Sequence, residues 1–287
     1  MEKKKLSQDE KSVLEQYIIP FYHAGKRHPL FPGRNSVEAE AELLGITVEE
    51  LQEYRLNLDQ NAKQAALELL KEDEIIDLLD KIPFDGNETI VALGDSSTED
   101  VQGWFNIFKN LLEISSENAE FQFINAGISG NTTTDALRRL DRDVLLSEPD
   151  WVFVSLGTFD VQRLNIAPGR TLIPLSETWE NLNTIQEILE EQLENPVVWI
   201  TPTPVISELL EANLMHEFSI DEMDMAQVIE VVAGKRGVII DPQGRRLGEE
   251  KPQAWNYLSD GLNPSLAGHI NTVREILKMM AQVDIKS

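Results

Sequence analysis

Along this chain the spacing of apolar residues changes once, and the change divides it in two. From Leu6 to about Pro83 apolar side chains recur at helical spacing with almost no β-branched alternation. Thr47, followed three residues later by Glu50, is a capping box that opens a helix through Leu51, Tyr54, Leu56 and Leu58. Before it, residues 21–35 contain Gly25, Pro29, Pro32 and Gly33 and read as a loop. The loop is expected to be ordered, because it also carries Phe21, Tyr22, Leu30 and Phe31, whose apolar surface calls for packing partners. After the turn-rich segment 83–87, short apolar runs follow at 89–93, 121–125, 151–156, 196–200 and 237–241, separated by stretches long enough for helices. Five strands alternating with helices predict a parallel sheet covered on both faces, with the ligand site beyond the carboxyl ends of its strands. The expected organisation is a helical N-terminal extension over 1–85 and an α/β domain over 86–287.

Composition narrows the classes of function. Of 287 residues, 41% are hydrophobic and 26% charged, which is ordinary globular usage and excludes a wholly disordered, collagenous or membrane-spanning chain. Lys and Arg number 25 against 50 Asp and Glu, and the net charge of −25 repels nucleic-acid phosphates and anionic membrane surfaces. Residues 41–51 have the outline of a DNA-binding helical turn, but the first 85 residues hold 11 basic and 18 acidic side chains. Glu49, Glu50 and Glu53 also stand where a recognition helix would need to approach phosphates, so a packed helical hairpin is expected. The absence of cysteine removes disulfides, zinc–thiolate sites and a thiol nucleophile. No run approaches the roughly 18 apolar residues of a membrane span, and the N-terminal lysines lead into Ser7, Gln8, Asp9 and Glu10 rather than an apolar signal core. A cytoplasmic protein without membrane insertion is the expectation.

Chemistry is to be sought just after the strands. The first run leads into Gly94-Asp95-Ser96-Ser97-Thr98, the second into Asn125-Ala-Gly-Ile-Ser-Gly-Asn131 and the third into Gly157-Thr-Phe-Asp160. Near the C-terminus stands Asp260-Gly-Leu-Asn-Pro-Ser-Leu-Ala-Gly-His269. A serine at a sharp strand-to-helix turn presents its hydroxyl at the sheet edge beside backbone N–H groups able to receive an oxyanion. Alone, Gly-Asp-Ser is a common turn and helix cap. Four such segments in this order are far more specific.

Together they resemble the GDSL, or SGNH, hydrolase family of esterases, lipases and acylhydrolases, from about residue 89 to the C-terminus. Residues 21–34 and the helices after them look similar to the N-terminal extension of one bacterial branch of that family. The resemblance implies a three-layer αβα, flavodoxin-like domain with a five-stranded parallel sheet. It also implies that Ser96 is the nucleophile, that Ser96, Gly130 and position 159 supply the oxyanion donors, and that Asp260 orients a base at position 263. Asp95, Asn131 and Asp160 would order the surrounding turns. Two positions depart from the pattern: Phe159 stands in place of the oxyanion Asn, and Asn263 in place of the catalytic His. A serine hydroxyl is a poor nucleophile until a base takes its proton, and an amide has no usable basicity near neutral pH.

A substitute base could come only from the four histidines, His269 or His216 foremost, and each has a favoured other role. His269 reads as a helix-start histidine, His216 falls in a lid-like region between the fourth and fifth strands, and His23 and His28 belong to the extension. Weak or lost hydrolysis of carboxylic (acyl or acetyl) esters is therefore expected. The competing expectation is an inactive pseudoenzyme that binds a small ligand, or that meets a protein partner through the extension. No cofactor is implied. Asp95, Asp160 and Asp260 could together attract a divalent ion, but turn-ordering roles are favoured and no metal is expected. Between Arg170 and Lys235 there is no Lys or Arg and there are thirteen acidic residues, which reads as a solvated face or as a repulsive wall favouring neutral esters. Thr201, Pro202, Thr203 and Pro204 are expected at the pocket, and Trp199 either there or in the core.

Overall fold

Helical periodicity over the first 80 residues becomes five short-to-long helices in the computed structural model, which describes residues 6–31, 33, 36–116, 118–213, 217–242 and 253–283. These are α1 (Gln8–Val13), α2 (Ala24–Arg27), α3 (Val37–Leu44), α4 (Val48–Leu69) and α5 (Asp73–Leu79). The capping box closes in both directions: Glu50 N–H donates to Thr47 Oγ1 at 3.1 Å, and Thr47 N–H donates to Glu50 Oε2 at 3.0 Å. Such a cap stabilises a helix start by about 1 kcal/mol. Gly45 ends α3 at φ 72°, a left-handed conformation that glycine adopts without strain. Ala41 of α3 shares an apolar cluster with Leu51 and Leu58 of α4.

The buried face of α4 has two halves. Leu51 and Leu58 pack with Ile19, Ala41 and Ile46 in a cluster of the extension itself. Ala62, Ala65, Ala66 and Leu69, with Ile75 of α5, join Ile90, Trp104, Phe108 and Trp151 in the core beneath the sheet. The extension therefore shares a core with the α/β region. The proline-rich loop departs from expectation: Phe21 is buried, but Leu30 is 82% and Phe31 55% exposed. Phe31 instead stacks on His28, with centroids 5.3 Å apart, and Pro32, Arg34 and Asn35 lie outside the described residues.

The α/β region runs β1 (Thr89–Gly94), a one-turn helix α6 (Ser96–Glu99), α7 (Trp104–Ser115), β2 (Gln122–Gly127), α8 (Thr133–Asp143) and β3 (Trp151–Ser155). It continues with β4 (Gln162–Leu164), α9 (Leu175–Gln192), β5 (Val198–Ile200), α10 (Ser207–Ala212), β6 (Phe218–Ile220), α11 (Glu222–Ala233), β7 (Val238–Ile240) and α12 (Leu266–Met280). Five strands form a parallel sheet in the order β2-β1-β3-β5-β7. Every residue of β3 is buried, as expected of a strand covered on both faces. Side chains of α4, α7 and α12 fill one face. Those of α8, α9 and α11 fill the other, which makes three layers.

β4 and β6 form a separate antiparallel pair beyond the sheet. Three residues each is too short for alternation to register, so the sequence offers no signal for them. β1 and β3 are neighbours at the centre of the sheet while β2 lies outside β1, so strand order reverses at the carboxyl end of β1. In open α/β sheets that reversal opens the crevice where ligands bind.

Candidate active site

Ser96 begins the one-turn helix at the end of β1. Asp95 is its N-cap, and the Asp95 Oδ1 accepts from Ser97 N–H at 3.2 Å. The turn is tight because β2 crosses close behind it: a Cβ on Gly127 would collide with the Glu99 amide. From the far end of the chain, the loop before α12 brings Asn263 against the serine. Ser96 Oγ–H donates to Asn263 Oδ1 at 2.6 Å, and Asn263 Nδ2–H donates to Asp260 Oδ2 at 2.7 Å. Asp260 Oδ1 accepts from the backbone N–H groups of Leu262 and Asn263, both at 2.9 Å. All three side chains are buried. A carboxylate only accepts, so Asp260 fixes which end of the Asn263 amide faces it and leaves the oxygen for Ser96. The outcome is a serine–amide–carboxylate chain in which the serine proton points at an oxygen that can hold a hydrogen bond but cannot take the proton.

Gly130 lies in the loop after β2, exposed, at φ 78°. Open space surrounds the position of an added Cβ there, so backbone conformation alone calls for glycine. The loop is tied down from below by Arg139 of α8. Its Nε donates to Asn131 Oδ1 at 2.7 Å, Nη1 to the Ala126 carbonyl at 2.5 Å and Nη2 to the Gly94 carbonyl at 3.0 Å. One guanidinium thus joins the ends of β1 and β2 to Asn131. No motif marks Arg139; its only sequence signal is its place between Ala136 and Leu140 on the apolar face of α8. Asp160, fully buried, accepts from Thr133 N–H at 2.9 Å, Thr133 Oγ1 at 2.5 Å and Thr178 Oγ1 at 3.0 Å, pinning the start of α8 to the loop after β3. Burial pushes its carboxyl pKa up, against those hydrogen bonds.

Burial likewise raises Asp95 from 3.8 to about 7, opposed by hydrogen bonds from Ser97 and Thr158. Between these values the folded chain holds a proton that the unfolded chain has lost. The stability from this group is therefore full below about pH 4 and is lost as pH rises toward 7, on the order of 4 kcal/mol in all. In Asp95→Asn the term disappears. Thermal melts at pH 5 and pH 8 should show the variant gaining on the parent at the higher pH, and equal gaps at both would refute the assignment.

Phe159 occupies the expected oxyanion position, but its side chain is buried in an apolar cluster with Val161, Val205, Leu210 and Leu262. Thr158, not Phe159, reaches the cavity at Ser96, which measures about 20 Å³ and is also lined by Thr201, Pro202 and Thr203. Trp199 is core, with its indole N–H on the Arg236 carbonyl at 3.0 Å. Among the described residues no histidine hydrogen-bonds Ser96. His269 is fully buried with Nε2 3.2 Å from Asp100 Oδ2, His23 meets Glu99, His28 stacks on Phe31, and His216 lies outside the described residues. Among the described residues no group of three or more acidic or histidine side chains could hold a metal ion, and Asp95, Asp160 and Asp260 each serve a different turn. The carboxylates between residues 170 and 235 stand mostly exposed on α9, α10 and α11, and none lines the Ser96 cavity. No helix among the described residues is long and apolar enough to cross a membrane.

A parallel sheet between two helical layers, with a serine at the strand-order reversal, is an SGNH-type fold. The model of the GDSL-like lipase/acylhydrolase family matches residues 92–269, and the chain belongs to that family. The lipoprotein YqeF of Bacillus subtilis is 30% identical over 161 residues, 53% of this chain and 61% of that one, so the match spans less than two thirds of that relative. An acetylxylan esterase of Geobacillus stearothermophilus is 26% identical over 183 residues, 61% of this chain and 80% of that enzyme. A crystal structure of an acetylxylan esterase from the same organism superposes with a TM-score of 0.54 at 23% identity, covering 71% of this chain and 97% of the other, which is a likeness of fold.

Proposed function

We propose that this chain hydrolyses small neutral carboxylic esters, acetyl esters foremost, through a Ser96 acyl-enzyme, at a rate far below that of a serine hydrolase with a full triad. The observation that carries the reading is the buried Ser96–Asn263–Asp260 chain, which keeps the serine oriented and its carboxylate anchor in place. Ser96 Oγ attacks the ester carbon, the carbonyl oxygen takes up negative charge, and the backbone N–H groups of Ser96 and Gly130 receive it. The serine proton then passes to solvent or to the departing alkoxide, because Asn263 only orients it. Loss of a triad member leaves roughly 10³- to 10⁴-fold catalysis over water from the oxyanion site and binding alone. The 20 Å³ cavity has room for about one water-sized group, which favours a short acyl chain. The net charge of −25 favours an uncharged substrate.

The second reading, a ligand- or protein-binding pseudoenzyme, is favoured by the burial of Phe159 where an oxyanion donor belongs. Exposure to p-nitrophenyl acetate separates the two. Slow release of nitrophenol with an acetyl group on Ser96, absent in Ser96→Ala, is the expected result. Release indistinguishable from that of Ser96→Ala would support the binding module. Fast turnover that depends on Ser96 would mean that another base serves it.

A further inference from the structure

The helical extension reaches the loop that carries Gly130. Arg27, at the end of α2, donates from Nη2 to the Ser129 carbonyl at 3.0 Å, and the same nitrogen lies 3.3 Å from the Phe21 carbonyl and 3.4 Å from Glu99 Oε2. The Glu99 side chain, fully buried in α6, accepts from the Ser129 N–H through Oε2, while its Oε1 lies 3.0 Å from His23 Nδ1. Beside it, Lys26 Nζ donates to Asn125 Oδ1 at 2.9 Å and to the Gly127 carbonyl at 3.2 Å. Both peptide groups of Ser129 are thus gripped, one by Glu99 of the serine's own helix and the other by Arg27 of the extension.

The second of these is the peptide whose N–H belongs to Gly130. In a trans peptide the carbonyl and the N–H point in opposite directions, so a donor fixed on the Ser129 oxygen fixes the direction of the Gly130 N–H. A cation on the carbonyl also polarises the peptide and strengthens the N–H as a donor. We infer that Arg27 is a positioning residue for the oxyanion site, holding the carbonyl side of the Ser129–Gly130 peptide so that the Gly130 N–H is presented to the charge developing on the ester oxygen. The inference rests on the hydrolytic reading above and gives the extension a part in it. Without Arg27 that carbonyl loses its cationic donor, and the loop keeps Glu99 on the preceding peptide and the turn bond from Asn131 N–H to the Ile128 carbonyl at 3.1 Å.

The test uses the full chain and its Arg27→Ala and Arg27→Lys variants, with two measurements on each. One is the rate at which p-nitrophenyl acetate acetylates Ser96, as a function of ester concentration. The other is the 15N order parameter of the Gly130 amide, read by NMR beside the melting temperature. Arg27→Ala should slow acetylation about tenfold at saturating ester, a fraction of the 10²- to 10³-fold that loss of an oxyanion donor costs. The half-saturating concentration should stay within about twofold, and the Gly130 order parameter should fall from about 0.85, the value of rigid backbone, to below about 0.6. Arg27→Lys, which keeps a cationic donor, should recover most of both losses; a merely structural role would lower the melting temperature without this split or this rescue. A Gly130 amide unmoved in Arg27→Ala overturns the role of Arg27. A loosened amide with unchanged acetylation removes Gly130 from the oxyanion site, and failure of the parent to acetylate at all removes the hydrolytic reading; either takes the inference with it.

Discussion

Asn263→His is expected to raise kcat/KM for p-nitrophenyl acetate by about 10²- to 10⁴-fold, the range that a positioned general base supplies. The site is already arranged for it. Asp260 Oδ2 accepts from the side chain at 263, at 2.7 Å, and would accept equally from an imidazole Nδ1–H. That bond leaves Nε2 unprotonated on the side where Asn263 Oδ1 now takes the Ser96 hydrogen bond. The gain should disappear in Ser96→Ala and should follow the titration of a single base near neutral pH. If Asn263→His folds with an unchanged melting temperature and gains nothing, the loop has moved away from a productive geometry and the pseudoenzyme reading is correct. Adding Phe159→Asn should bring no comparable gain, because the side chain at 159 lies in an apolar cluster and not at the Ser96 cavity, and it should cost stability. The Phe159 ring is buried with Val161, Val205 and Leu210, and removing a buried aromatic side chain costs roughly 3–5 kcal/mol. The single variant is for that reason the cleaner measurement.

Arg139→Met is expected to destabilise the chain by roughly 3–5 kcal/mol, since three acceptors lose their donor at about 1–3 kcal/mol each and the site relaxes in part. Methionine fills much of the volume, so the loss reads out hydrogen bonding rather than a cavity. It strands the Gly94 and Ala126 carbonyls and Asn131 Oδ1, which the guanidinium now satisfies together. In a chain of this size the melting temperature should fall by roughly 10 °C. Ser96 acetylation should fall as well, since the ends of β1 and β2 carry the serine and the Gly130 loop. A loss below about 1 kcal/mol in denaturant unfolding would show that Arg139 spans these strands without supporting them.

Arg139 also shows where reading from sequence stops. On paper it is one of three arginines in an acidic and basic helix, and nothing separates it from Arg138 or Arg142 except the apolar face it shares with Ala136 and Leu140. Glu99 and Asp100 are similar: each follows the serine segment as an ordinary acidic residue. Each is fully buried, one gripping Ser129 and the other paired with His269. Long-range partners have no local signature, so side chains that join distant segments are invisible until the chain is folded. The strands and the capping box behave differently. Apolar runs and a Thr-x-x-Glu spacing act within a few residues, and the five parallel strands and the start of α4 form where these local patterns place them.

By itself the amino-acid order determined the change from helical to α/β periodicity, the parallel sheet and the four motif loops with the positions they carry, because each is written in local period or in a short motif. Only the tertiary structure decided how those positions meet. It put Asn263, three residues from its partner Asp260, in hydrogen-bond contact with Ser96 across more than 160 residues of sequence, and it buried Phe159 in an apolar cluster. It also turned the extension inward, so that Arg27 holds the peptide beside Gly130 and the alanines of α4 pack beneath the sheet. Hydrophobic period specifies which face of an element is buried but not what it is buried against, and the chemistry of this site lies in that second choice.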